Sequence, residues 1–222
     1  MTKDINKDKY PEETKLKLQI FAESFKEWFP VFIHSNYITD VFIYDFFAGS
    51  GNDVEGSLGS PLILLDVAKG ENCVYCAKVR EKDKKIHFSF NEKDNAKQKT
   101  LVENINLFMN RCLFKNCVTE TCVYDYKNFS RSEFKEIFQS NDFQTILKSK
   151  KYGKFIILDQ YGFSQVGQDI FLRLVNAPVT DFIFFVSSSY IRRFKEEPAT
   201  KLYFDTKKKL ISMKIGQKIA ID

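Results

Sequence analysis

The feature that most constrains the fold is an apolar run, residues 41–47, that opens into a loop containing glycines. The run encloses one charged residue, Asp45, and the loop carries Ala48, Gly49 and Gly51. A nearly continuous apolar run is typical of a strand that is buried on both faces. Glycines directly after it allow positive φ angles and let a ligand approach the bare backbone. A strand followed by such a loop is the usual start of a nucleotide-binding α/β sheet.

Four further segments have the pattern of strands, and helical patterns separate them. We expect strands near residues 40–46, 86–90, 116–124, 154–158 and 182–186. We expect helices near residues 16–29, 61–69, 95–110, 134–138 and 169–174. Pro30 should end the first helix, whereas Pro61 should begin the second and Gly70 should end it. Strands that alternate with helices predict an α/β fold with a Rossmann-like, doubly wound and mainly parallel sheet.

Charge divides the chain into three parts. Residues 1–14 are mostly polar and charged, which predicts a flexible N-terminal arm and not a secretory signal. Residues 15–194 are expected to form the α/β domain. Residues 1–191 hold 25 Lys and Arg and 25 Asp and Glu, so the whole net charge of +5 lies beyond them. We expect residues 195–222 to be a basic segment, either a hairpin about Gly216 or part of a truncated further domain.

The basic C-terminal residues predict contact with phosphate groups or with an acidic protein surface, and the alternative is a solvated tail. The candidate nucleic-acid-binding residues are Arg192, Arg193, Lys207, Lys208 and Lys209. Because no apolar run is long enough to span a bilayer and no signal sequence is present, we expect a cytoplasmic protein without membrane contact.

The cysteines and histidines argue against several kinds of site. Five cysteines occur, at positions 73, 76, 112, 117 and 122. Only Cys73 and Cys76 have the spacing of metal ligands, so we expect reduced thiols and no metal. The chain has two histidines, His34 and His87, and it has no G-x-S-x-G motif, so a serine–histidine hydrolase has little support.

Residues 45–51 resemble the first motif of S-adenosylmethionine (SAM) dependent methyltransferases, which has the form D-x-F-x-G-x-G. A dinucleotide-dependent enzyme is disfavoured, because Val54 stands where the third glycine of that fingerprint belongs. The resemblance implies that Gly49 and Gly51 face the methionine part of SAM. Asp45 would then orient the loop or bind the ammonium group.

Acidic residues follow four of the predicted strands: Asp45, Glu92, Asp125 and Asp159. Ligands of open α/β sheets bind beyond the carboxyl ends of the strands, so we expect these four carboxylates at one site. Glu92 would accept both ribose hydroxyls, and Asp125 would accept from an adenine amino group, because a carboxylate only accepts. The alternative is that these residues are ordinary polar ends of strands.

The segment from Asp159 to Tyr161 has the groups that methyl transfer to an exocyclic amine requires. Asp159 and the carbonyl of Gln160 can accept the amine protons, and the ring of Tyr161 offers a flat surface beside the base. The alternative is a strand-to-turn transition with a core tyrosine.

Two motifs, F-A-G-x-G at residues 47–51 and G-S-P-L at residues 59–62, resemble the three-Cys-motif partner protein family (TcmP). The resemblance covers residues 15–194 and implies a bacterial protein with a fold of the SAM-dependent methyltransferase type. Similar members have D-P-F-G where this chain has residues 159–162, and Pro where it has Ser50. Because Gln160 replaces a proline, the carbonyl that faces the target amine should be less rigidly placed.

The sequence therefore predicts a SAM-binding methyltransferase-like protein that modifies nucleic acid at a base amine. The alternative is a catalytically weak or inactive partner subunit that keeps the SAM-binding fold within a multi-protein system, for example one used in defence. The catalytic candidates are Asp159, Gln160 and Tyr161. The cofactor-binding candidates are Asp45, Ala48, Gly49, Gly51, Glu92 and Asp125.

Overall fold

A computed structural model of the chain describes residues 8–115, 122–160 and 165–185. The helices are α1 (Glu12–His34), α2 (Ser60–Lys69), α3 (Val74–Glu81), α4 (Asn95–Lys115), α5 (Phe134–Gln139), α6 (Asn141–Lys148) and α7 (Gln168–Val175). The strands are β1 (Asp40–Asp45), β2 (Lys85–Asn91), β3 (Tyr124–Ser130), β4 (Tyr152–Leu158) and β5 (Thr180–Phe184). All five strands are parallel, in the order β3-β2-β1-β4-β5. An α/β fold with a parallel sheet is confirmed.

Helices cover the sheet on both faces, because side chains of a strand point alternately to its two sides. On β1, Val41 and Ile43 join a core that contains residues of α1, α2, α3 and α4. Tyr44 points the other way, into a second core built from α5, α6 and α7. The central strands β1 and β4 are therefore buried on both faces, as their continuous apolar sequences predict.

The prediction that Pro30 ends the first helix is wrong. Helix α1 continues through Pro30 to His34, and the amide of Ser35 still donates to the carbonyl of Val31 at 3.1 Å. A proline inside a helix removes one backbone hydrogen bond. Phe29 and Ile33, which lie one turn apart on either side of it, are both fully buried. The apolar area buried by this last turn offsets the lost hydrogen bond.

The predicted position of the third strand is also wrong. The expected strand ends at residue 124, but β3 begins there and runs to Ser130. Its first four residues alternate, with Tyr124 and Tyr126 buried and Asp125 and Lys127 exposed, whereas Phe129 and Ser130 near its end are half-buried. An edge strand with one exposed face shows this alternation in place of a continuous apolar run.

Smaller differences concern the first residues and two helices. Helix α1 begins at Glu12, inside the range assigned to the N-terminal arm, and Tyr10 before it is buried. Helix α3, the short 3-10 turn before it, Glu71–Cys73, and helix α6 were not predicted. The suggested hairpin about Gly216 lies outside the described residues. In the part of the chain that is described, no helix is both long and apolar enough to cross a membrane.

Candidate functional site

The carboxyl ends of β1 and β2 bring the glycine loop and Glu92 together. The two strands are paired in parallel up to Asp45 and Phe90, so the segments that follow them leave the sheet side by side. The backbone amide of Gly49 donates to Glu92 Oε2 at 3.0 Å, and the amide of Asp94 donates to Glu92 Oε1 at 2.8 Å. Glu92 thus lies against the loop, as expected for two parts of one site.

The loop conformation depends on its glycines. Gly49 and Gly51 have φ angles of 63° and 88°, a region that side chains disfavour. A Cβ at Gly51 would also lie 3.2 Å from Leu101 of α4. The Gly51 carbonyl accepts from the amide of Gly59 at 2.7 Å, and the amide of Ala48 donates to the Asn91 carbonyl at 3.0 Å. These contacts hold the loop between β2 and the start of α2.

Asp45 is fully buried at the end of β1. Its Oδ1 accepts from the amide of Phe47 at 3.1 Å, and its Oδ2 has no hydrogen-bond partner among the described residues. Burial raises the pKa of Asp45 to about 7, against the opposing effects of the nearby Ser60 hydroxyl and the Phe47 amide. The hydrogen bond from Phe47 supports the expected loop-orienting role, and the unpartnered oxygen can accept from a donor such as an ammonium group.

Asp159 follows β4, the other neighbour of β1, and forms an ion pair with Lys17 of α1. Both side chains are largely buried, with exposed fractions of 19% and 14%. The Lys17 Nζ atom also lies 5.1 Å from the centre of the Phe185 ring, a cation–π distance. Lys17 was not predicted as a site residue, since the contact joins residues far apart in the chain.

A hydrogen bond between Tyr10 and Asp53 holds the N-terminal segment near the carboxyl ends of the strands. The amide of Tyr10 donates to Asp53 Oδ2 at 2.9 Å. Burial raises the pKa of the Tyr10 hydroxyl, and the negative charges of Asp53, Asp45 and Asp159 raise it further. The hydroxyl lies against the start of α2, where a Cβ at Gly59 would come within 3.0 Å of it.

Gln160 is buried and its side chain organises the turn after β4. Its Oε1 accepts from the amides of Gln165 at 2.9 Å and Val166 at 3.1 Å. Its Nε2 has no partner in the described parts of the chain. These side-chain hydrogen bonds restrict the backbone at a position where the resembling family has proline. Tyr161 lies outside the described residues.

Asp125 does not belong to this group of carboxylates. It is the second residue of β3 and is paired in register with His87, near the amino ends of the strands. Its carboxylate lies 3.1 Å from His87 Nδ1. The prediction that Asp125 follows the third strand is wrong, because the strand begins at Tyr124. Asp125 therefore lies at the amino ends of the strands, whereas Glu92 lies at their carboxyl ends.

Asn91 is a buried residue of the site that the sequence analysis missed. Its Nδ2 donates to the carbonyls of Phe46 and Ser132, each at 3.1 Å. Its Oδ1 accepts from Ser130 Oγ at 2.9 Å and from the amide of Ser132 at 3.1 Å. One amide thereby joins the carboxyl ends of β1, β2 and β3. Asn91 directly precedes Glu92 in the sequence, and this position could have indicated that it lies at the site.

The remaining predictions concern metals and basic residues. Within residues 8–115, 122–160 and 165–185, no three His, Cys, Asp or Glu side chains are placed to hold a metal ion. Cys73, Cys76 and Cys122 are thiols. The basic candidates, Arg192, Arg193 and residues 207–209, lie outside the described residues. Comparisons with protein-family models, with curated proteins and with solved structures find no match to this chain.

Proposed function

We propose that this protein binds SAM at the carboxyl ends of β1 and β2 and is a methyltransferase-like protein of the TcmP type. The observation that carries the proposal is the contact between the Gly49 amide and Glu92. A strand, a glycine loop and an acidic residue after the next strand form the arrangement that binds a nucleoside in open α/β sheets. The free lone pairs of the Glu92 carboxylate can accept from ribose hydroxyls.

The proposed methyl acceptor is a base amine in nucleic acid. Asp159 lies beside the buried Asp45 at the same edge of the sheet, so an amine held by Asp159 would be near the methionine part of SAM. The nitrogen would attack the methyl carbon as the sulfur–carbon bond breaks, and the amine proton would pass to solvent afterwards. Asp159 would accept a hydrogen bond from the amine and hold it in line.

The ion pair between Lys17 and Asp159 favours a second candidate function, that of a SAM-binding partner subunit with little or no turnover. A carboxylate already bound to a lysine accepts less readily from a neutral amine. In this alternative, the protein would use the SAM-binding fold to assemble with a separate protein.

We expect Glu92→Ala to weaken SAM and S-adenosylhomocysteine binding by about 1–3 kcal/mol, the usual cost of removing a hydrogen bond to a charged group. Isothermal titration calorimetry measures this directly. Glu92→Gln should have a smaller effect, because it keeps one oxygen that can accept from Gly49 or from ribose. Asp125→Ala is the matched control, because Asp125 lies at the amino ends of the strands. This variant should leave the affinity for SAM unchanged. Equal affinities for wild type and Glu92→Ala would place the ribose elsewhere.

We expect the affinity for nucleic acid to fall steeply with salt, because each phosphate that a lysine neutralises releases counterions. Replacing Lys207, Lys208 and Lys209 by Gln should reduce the slope of log K against log salt by about 0.9 for each phosphate of duplex DNA that is no longer neutralised. The charge-matched control replaces Lys148, Lys150 and Lys151, which are exposed next to the amino end of β4. Identical slopes for the two triple variants would assign residues 207–209 to a solvated tail.

A further inference from the structure

A cavity of about 300 Å³ lies on the side of the sheet that α5 and α6 cover, apart from the glycine loop. The lining residues that matter here are Tyr44, Phe46, Ser89, Asn128, Asp142 and Phe143. They come from β1, β2, β3 and α6 and from the residue that follows β1. The volume is at the low end for small-molecule sites, which enclose roughly 300–1,000 Å³.

The sheet separates this cavity from the proposed SAM site. The glycine loop packs on the other face, where Gly51 lies against Leu101 of α4 and Leu62 of α2. Asn91 lines the cavity near the ends of the strands, but all its amide hydrogen bonds go to protein atoms. An occupant of the cavity would therefore use other polar groups.

The aromatic residues of the cavity favour a flat occupant. The rings of Tyr44 and Phe46 are nearly parallel, with centroids 5.3 Å apart and an interplanar angle of 5°. Phe143 meets both rings edge-on, at 5.1 Å and 5.4 Å. A wall of aligned rings offers stacking and edge contacts to another planar ring.

Two hydroxyl groups in the cavity have no hydrogen-bond partner among the described residues. Tyr44 is only 7% exposed, yet its hydroxyl makes no hydrogen bond to the described residues, and neither does that of Ser89. Tyr44 and Asp142 line the same cavity, and burial, followed by the charge of Asp142, raises the pKa of Tyr44. Because neither hydroxyl is bonded to a described residue, both are available to an occupant of the cavity.

The charge of the lining indicates which polar groups the ligand carries. Asp142 is the one charged residue of the lining, and no Lys, Arg or His is among those described there. A phosphate or carboxylate would be repelled, whereas an amino group would find an acceptor. The amide nitrogen of Asn128 already donates to the Phe88 carbonyl at 3.3 Å, so its amide oxygen is the group that can accept from a ligand.

We propose that the cavity binds a small planar amino-heteroaromatic molecule without phosphate, such as a free aminopurine base, at the same time as SAM occupies its own site. The amino group donates to Asp142, and the ring nitrogens accept from the hydroxyls of Tyr44 and Ser89. This inference does not rest on the proposed methyltransferase function, because neither Gly49 nor Glu92 takes part in it.

Calorimetry of the full chain with adenine, and with purine as the analogue that lacks the amino group, tests the ligand chemistry. Adenine should bind, and purine should bind about tenfold more weakly, the effect of removing one hydrogen bond to a charged group. Saturating S-adenosylhomocysteine should leave adenine binding unchanged. Absence of adenine binding, or its competition with S-adenosylhomocysteine, would overturn the proposal.

A pair of variants tests the location of the site. Asp142→Asn should weaken adenine binding about tenfold and leave S-adenosylhomocysteine binding unchanged. Asp169→Asn is the matched control, since both residues are exposed in the first turn of a helix and Asp169 lies outside the cavity. Equal adenine affinities for the two variants would contradict the proposal. Tyr44→Phe, which removes the unpartnered hydroxyl and keeps the ring, should also weaken adenine binding.

Discussion

Replacing Asp45 by Asn should make the stability of the protein less dependent on pH. Wild-type protein should lose on the order of 3 kcal/mol of unfolding free energy between pH 4 and pH 8 through this one residue. The Asp45→Asn variant should not show this loss. Urea unfolding at a series of pH values measures both curves, and the difference between them isolates the titration of Asp45.

The sign follows from the raised pKa of the buried carboxyl group. Unfolded Asp45 ionises near its usual value of 3.8, whereas the folded group holds its proton up to about pH 7. Between these values the folded state binds more protons, so stability falls as the pH rises. Above about pH 7 both states are ionised and the loss is complete.

Asp125→Asn provides a control of opposite sign. Burial alone would raise the pKa of Asp125, but hydrogen bonds from Asn128 and His87 lower it overall. Stability from Asp125 is therefore present above its unfolded pKa and is lost as the pH falls through its folded pKa. The contribution should be small, because half of this side chain is exposed. Parallel stability curves for wild type and Asp45→Asn from pH 4 to pH 8 would contradict the account of Asp45.

The sequence predicted the centre of the fold better than its edges. Strands β1 and β4 are covered on both faces, so burial makes them continuous apolar runs that can be read directly. Strand β3 has one outward face at the sheet edge, and its start was misplaced. The extent of α1 past Pro30 depends on tertiary burial of Ile33, which local helix signals do not contain.

The residues of the candidate site were also predicted only in part. Gly49 and Glu92 each follow a central strand, and parallel pairing alone brings such positions together. Lys17 reaches Asp159 from a helix 142 residues earlier in the chain, and no local pattern encodes that contact. Asp125 was misassigned because its place at the site depended on a strand boundary, the least certain part of a sequence prediction.

Removing the carboxylate of Asp159 should lower the single-turnover rate of methyl transfer by roughly 100-fold or more. An exocyclic amine is a poor nucleophile, because its lone pair is delocalised into the ring. A hydrogen bond from the amine to Asp159 would localise that lone pair toward the methyl group. Misplacement of a reacting group by about 1 Å can cost 10²-fold, so removal of this acceptor should be severe.

Labelled SAM with mixed DNA and RNA substrates measures the transfer, and calorimetry measures SAM affinity in the same variants. Asp159→Ala should show this loss of rate with SAM affinity intact, and Asp159→Asn should keep a larger part of the rate because its carbonyl still accepts. Lys17→Met should raise the rate, since the ion pair occupies the carboxylate that the amine requires. Transfer that persists in Asp159→Ala would exclude this role. SAM binding without transfer in wild type and Lys17→Met alike would favour the partner-subunit function.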